Sequence, residues 1–110
     1  MGFAARSSGG PTRTVVTLDG ECDLAVREEL TAALLAAVAA ARTVVVDLTH
    51  VTFIDSTGVH GLVTAYHAAR AGGGQLYVAN AHGPVATVLD LTGVGELLAE
   101  PAAGSGETGV

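Results

Sequence analysis

Apolar positions recur at two different spacings along this chain, and the places where the spacing changes outline its elements. Arg13 to Leu18 carries Thr14, Val15, Val16 and Thr17, β-branched residues that suit a strand. Ser8-Gly9-Gly10-Pro11 ahead of it is a turn signal. A hairpin is therefore expected, with Gly2 to Arg6 as a weakly written edge strand. Asp19-Gly20-Glu21-Cys22-Asp23 reads as a polar turn. Val26, Leu30, Ala33, Leu34, Ala37, Val38 and Ala41 then recur at helical steps and share one face. Asp23 precedes that helix as a candidate N-cap, and Arg27, Glu28 and Glu29 keep its outer face wet.

Thr43 to Leu48 reads as a buried strand, because an unbroken β-branched run suits a strand with most of both faces covered. Residues 49–55 are expected to form a short connection, with Val51, Phe53 and Ile54 turned inward. A second helix starts near Ser56. Its inner stripe is Val59, Leu62, Val63, Tyr66 and Ala69 or Arg70, and it ends at Gly72-Gly73-Gly74. Gln75 to Ala79 is another strand. Pro84 suits the first turn of a third helix, whose apolar side is Val85, Val88 and Leu89 and whose stop is Gly93. Val94 to Leu98 is a short closing element. Residues 101–110, PAAGSGETGV, read as a disordered tail after a single domain at 1–100.

Strand–helix–strand crossovers are almost always right-handed. The strands at 43–48 and 75–79 are therefore expected to lie parallel, as neighbours or near neighbours. The outcome is an α/β domain with a small mixed sheet of four to five strands packed with three to four helices.

Composition narrows the function. The 110 residues are 49% hydrophobic and 15% charged, as a folded single domain requires. Aromatics are 4% and Trp is absent, so the core is built from Val, Leu and Ala. A formal net charge of −6 argues against nucleic-acid binding and fits a protein partner with a basic or mixed surface. Cys22 is the only cysteine, which leaves no intrachain disulfide and argues against a cysteine-based zinc site. MGFAARSSGG lacks the long apolar stretch of a leader, and the most apolar helix is too short to span a membrane. A cytoplasmic, monomeric protein without membrane contact is expected.

The chemistry concentrates in Val46 to Tyr66, where a buried strand leads through Asp55-Ser56-Thr57-Gly58 into an amphipathic helix. Backbone N–H groups at a helix start lack internal partners, and the helix dipole is positive there. Two readings stay open. Asp55 and Ser56 are ordinary caps, with Gly58 allowing close packing; or the helix start accommodates an added anion such as phosphate. Catalysis is not expected, since Ser56 has no G-x-S-x-G setting and no P-loop is present. His60, Thr64 and His67 fall along one helical face, but two histidines two turns apart are too far separated to chelate one ion unaided. No metal or cofactor is expected.

Four segments, in order, resemble the STAS domain, and within it the single-domain anti-sigma-factor antagonists. Leu18 to Asp23 resembles the family's G-E-x-D turn, and Val44 to Gly58 its strand, hydrophobic link and D-S-[ST]-G tetrad. Gly73-Gly74-Gln75-Leu76 resembles the glycine-rich entry to the next strand, and Val85 to Leu98 the closing helix. The resemblance implies that Ser56 is the phosphorylated position, with Thr57 as the second hydroxyl, usually not the acceptor. Asp55 precedes the acceptor, and Asp23 lies in an acidic turn near it. It further implies an anti-sigma factor with serine kinase activity, using ATP and magnesium, as partner, and a phosphoserine phosphatase that resets the switch. Asp23, Asp55, Ser56, Thr57, Gly58 and His60 are the expected partner-binding residues. His60 stands where smaller residues are common in relatives; it either tunes partner choice or is a plain surface side chain. The alternative to a switch is a non-switching STAS subunit of a stress-sensing or phospholipid-trafficking complex.

Overall fold

The β-branched run at 14–17 does form a strand, and it is the second of four. In a computed structural model, which describes residues 2–101, the strands are β1 (Ala4–Gly9), β2 (Arg13–Cys22), β3 (Thr43–Ile54) and β4 (Gln75–Ala79). The helices are α1 (Arg27–Ala40), α2 (Ser56–Ala71), α3 (Gly83–Thr92) and α4 (Val94–Leu97), with a 3-10 turn at Leu24–Val26 leading into α1. The sheet order is β1-β2-β3-β4. β1 and β2 form the expected antiparallel hairpin, and β2–β3 and β3–β4 are parallel. The expected disordered tail falls outside the described residues except for Pro101.

The edge strand runs later than expected, to Gly9 rather than Arg6. The chain reverses only over residues 10–12, where the Gly10 N–H donates to Arg13 O at 3.0 Å. The Thr14 hydroxyl ties the same turn by donating to Gly10 O at 2.9 Å. Ser8 and Gly9 are thereby free to pair with Val15 and Thr14.

A larger correction concerns the acidic segment and the link after Leu48. Neither is a loop: β2 continues through Asp19-Gly20-Glu21 to Cys22, and β3 continues to Ile54. The two stay paired because β3 accommodates extra residues at two shifts in register. Thr17 opposes Asp47 but Asp19 opposes His50; Gly20 opposes Val51 but Glu21 opposes Phe53. Such bulges break the alternation of sides. Val51 and Ile54 face inward as expected, whereas Phe53 is 44% exposed.

Val44, Val46 and Leu48 join one core cluster with Leu30, Leu34, Leu62 and Leu89. Val45 is buried on the opposite side, between Val15 and Tyr77 in register. α1 buries Leu30, Leu34 and Ala37, while Val26, Ala33 and Val38 are only half-buried. α2 buries Val59, Leu62, Ala65 and Ala69, leaving Val63 and Tyr66 partly covered and Arg70 exposed. Pro84 lies in the first turn of α3, and Gly93 ends that helix at φ 78°, a left-handed conformation that favours glycine. After α4 the chain returns to the sheet, where the Val78 N–H donates to Leu98 O at 2.9 Å. Arg13 then clasps Glu100 through two bonds of 2.9 and 3.1 Å.

Candidate functional site

Asp55 leaves β3 with extended backbone and turns its carboxylate onto the start of α2. Its Oδ1 accepts from the Thr57 N–H at 2.9 Å and the Gly58 N–H at 3.1 Å. That is a complete N-cap, satisfying two of the donors a helix start leaves free. Ser56, the first residue of α2, is exposed and makes no part of the cap. The two readings of the tetrad thus separate by residue: capping accounts for Asp55 and leaves the Ser56 hydroxyl at the surface. An anion on Ser56 would find the Thr57 and Gly58 amides already engaged by Asp55. What remains to favour it is the positive end of the helix dipole.

Cys22 is the seat on which this helix start rests. Its carbonyl accepts the Asp55 N–H at 3.2 Å, and Cys22 opposes Ile54 across the sheet. Gly58 then packs against it so tightly that a Cβ there would stand 2.5 Å from Cys22 O and 2.7 Å from Ile54 Cγ1. Gly58 is therefore buried in close packing against Cys22 and Ile54. Asp23, one residue beyond Cys22, caps the 3-10 turn by accepting from the Ala25 N–H at 3.1 Å. It caps that turn rather than α1, which begins four residues later. Burial, with Asp23 and Asp55 adding to it, pushes the Cys22 thiol up to about 11. The Asp55 N–H bond to Cys22 O thus brings the end of β2, which Asp23 follows, to the start of α2. Thr57 is half-buried beside Ser56.

The STAS domain profile matches residues 3–104, nearly the whole chain. The chain belongs to the STAS domain family. The fold of this STAS domain is similar to that of the anti-sigma factor antagonist SpoIIAA in its unphosphorylated form. The TM-score is 0.76 at 21% identity, covering 97% of this chain and 98% of that one. It is similar also to an anti-sigma factor antagonist from Mycobacterium paratuberculosis, with TM-score 0.75 at 24% identity over 99% of this chain and 94% of that one. The phosphorylated form of SpoIIAA, a Bacillus cell fate determinant, aligns with TM-score 0.67 at 20% identity over 97% of both chains. No curated protein matches the sequence.

Two other polar features of this STAS domain lie outside the tetrad. His60, one turn along α2, is exposed and lines a groove of about 430 Å³ between α1 and α2 with Arg27, Thr31 and Thr64. A polar cluster ties β3 to the start of α3. Asp47 Oδ1 accepts from the Thr49 hydroxyl at 2.6 Å, the Thr49 N–H at 3.0 Å and the Asn80 amide at 2.9 Å. His82 Nε2 lies 2.8 Å from Thr49 O. The Asn80 bond, with the Thr49 bonds next, lowers the Asp47 carboxyl below its ordinary range. Asn80 at φ 64° is the one described non-glycine residue with left-handed backbone. Sequence reading passed over this cluster because its members come from two segments 33 positions apart in the chain. Among the described residues no group of three or more His, Cys, Asp and Glu could hold a metal ion. Nor is any described helix long and apolar enough to cross a membrane.

Proposed function

We propose that this STAS domain is an anti-sigma-factor antagonist. Unphosphorylated, its Ser56 surface binds an anti-sigma factor with serine kinase activity, and the sigma factor is released. The kinase transfers the γ-phosphoryl group of ATP to Ser56 Oγ. The hydroxyl proton leaves, ADP departs, and the product no longer binds. A phosphoserine phosphatase restores the hydroxyl. The chain is substrate and partner in this cycle, not the enzyme.

The observation that carries the reading is the exposed Ser56 hydroxyl at the head of α2, with the capping role already filled by Asp55. The names of the structural relatives, one of them solved in both phosphorylation states, support it. A phosphoryl group adds a charge of about −1.5 to −2. Asp55 lies next to it in the chain, and Asp23 borders the same surface. A partner shaped to Asp55 and Asp23 then meets concentrated negative charge. Like-charge juxtaposition costs several kcal/mol, so an affinity loss of about a hundredfold is expected.

The test uses the full chain as bait in lysate of its own organism, with ATP and magnesium, comparing wild type, Ser56→Ala and Ser56→Asp. Capture of one ATPase by the first two but not the third, with phosphate mapped to Ser56 in wild type, is the expected result. Equal capture by all three, with Ser56 unmodified, would leave a fixed STAS binding subunit of another assembly.

A further inference from the structure

Two large apolar side chains stand in water next to the Ser56 surface. Leu24 is 65% exposed and Phe53 is 44% exposed. Cys22 and Ile54 oppose each other in the sheet; Leu24 follows the first by two residues and Phe53 precedes the second by one. Both therefore border the register pair from which Asp55 and Ser56 depart. Neither exposure is forced by sequence pattern. The bulge opposite Glu21 turns Phe53 away from the core, and the 3-10 turn capped by Asp23 holds Leu24 outside α1. An apolar side chain held in water by specific backbone devices carries a cost that a partner's surface would remove.

The surroundings are acidic. Between Asp19 and Glu29 the chain carries five carboxylates, at Asp19, Glu21, Asp23, Glu28 and Glu29, against one basic side chain, Arg27. Asp55 adds a sixth beside Cys22. The only ion pair among the described residues, Arg13–Glu100, involves none of these acids.

We propose that Leu24 and Phe53 are apolar anchors of the docking surface around Ser56. The occupant is a face of the ATPase partner in which apolar recesses are ringed by Arg or Lys side chains. Buried anchors with a charged rim are the usual division of labour in an interface: the anchors set the dissociation rate and the rim sets the association rate. This inference rests on the proposed function, since the partner is the kinase named there.

The probe is the ATPase captured by wild type and Ser56→Ala, titrated calorimetrically with full-length chains. Leu24→Ser and Phe53→Ser are each expected to weaken binding about tenfold or more, as anchors do. Leu91→Ser, which alters an 82% exposed leucine on α3, is the control and stays within about twofold. Glu21→Gln with Asp19→Asn flattens the salt dependence of association. All altered side chains are exposed, and unchanged thermal unfolding verifies the fold. Wild-type affinity in Leu24→Ser and Phe53→Ser, with Ser56→Asp still defective, overturns the docking surface and leaves the switch standing. Undiminished binding by Ser56→Asp, or capture of no ATPase, overturns the proposed function and this surface with it.

Discussion

Gly58→Ala places one methyl group where the structure has no room. The added Cβ would stand 2.5 Å from Cys22 O, 2.7 Å from Ile54 Cγ1 and 3.1 Å from Cys22 Cβ. The carbonyl cannot swing away cheaply, because it accepts the Asp55 N–H and Cys22 is paired with Ile54. Overpacking of this kind costs about 1–3 kcal/mol. Replacing a helical glycine by alanine returns up to about 1 kcal/mol. The net expectation is a destabilisation of about 1–2 kcal/mol, or a fall in Tm of roughly 5–10 °C for a domain of this size. Gly61→Ala, one turn along the same helix, is the internal comparison. Its Cβ would meet only Leu30 and Thr31 side-chain atoms at 3.4–3.7 Å. It should be neutral or stabilising by about 0.5–1 kcal/mol. Urea unfolding of both variants, with the m-value held as a check on two-state behaviour, measures the gap of about 2 kcal/mol. A Gly58→Ala midpoint at or above that of Gly61→Ala would refute the claim that Cys22 seats the helix. If the claim holds, Gly58→Ala should also lose phosphorylation at Ser56, since the start of α2 must shift.

Further outcomes follow from other groups at or near the site. Asp55→Ala removes both cap bonds and should cost about 1 kcal/mol in urea unfolding, while Asp55→Asn retains most of the stability. Ser56→Ala should leave the unfolding midpoint unchanged within about 0.5 kcal/mol, since the side chain is exposed and takes no part in the cap. The Cys22 thiol titrates near 9.0 when free and at about 11 in the fold. Its folded pKa is raised, so its contribution to stability is fully present below pH 9 and declines as pH rises toward 11. A thiol reagent at pH 8 should label native protein only through unfolding, and rapid native labelling would contradict the burial. Asn80→Gly keeps the left-handed backbone but deletes the bond to Asp47. The Asp47 carboxyl should titrate higher, read by NMR, and the stability it confers above the ordinary carboxylate range should weaken on acidification at a higher pH than in wild type.

Much of the fold was legible because its signals are local. The β-branched runs at 14–17 and 43–46, the helical recurrence from Leu30 to Ala37, the triple glycine at 72–74, Pro84 and Gly93 each act within a few residues. What was not legible depends on pairing between distant segments. Asp19 to Cys22 has turn composition, yet it stays in β2 because β3 runs alongside it as far as Ile54. The same pairing introduces the register shifts that expose Phe53, which no period-two reading anticipates. At the site, Asp55 and Ser56 looked like interchangeable capping residues. Only their geometry separates the capping carboxylate from the surface hydroxyl. Gly58 was recognisable as a glycine that allows close packing, but what it packs against, Cys22 O thirty-six positions earlier in the sequence, is set by the pairing of distant segments.

The most direct test of the switch compares the affinity of the captured ATPase for the chain with an unmodified Ser56 and for the same chain bearing phosphoserine at position 56. The account predicts binding about a hundredfold weaker for the phosphorylated chain, with the fold unchanged by circular dichroism. Equal affinities for the two forms would contradict it.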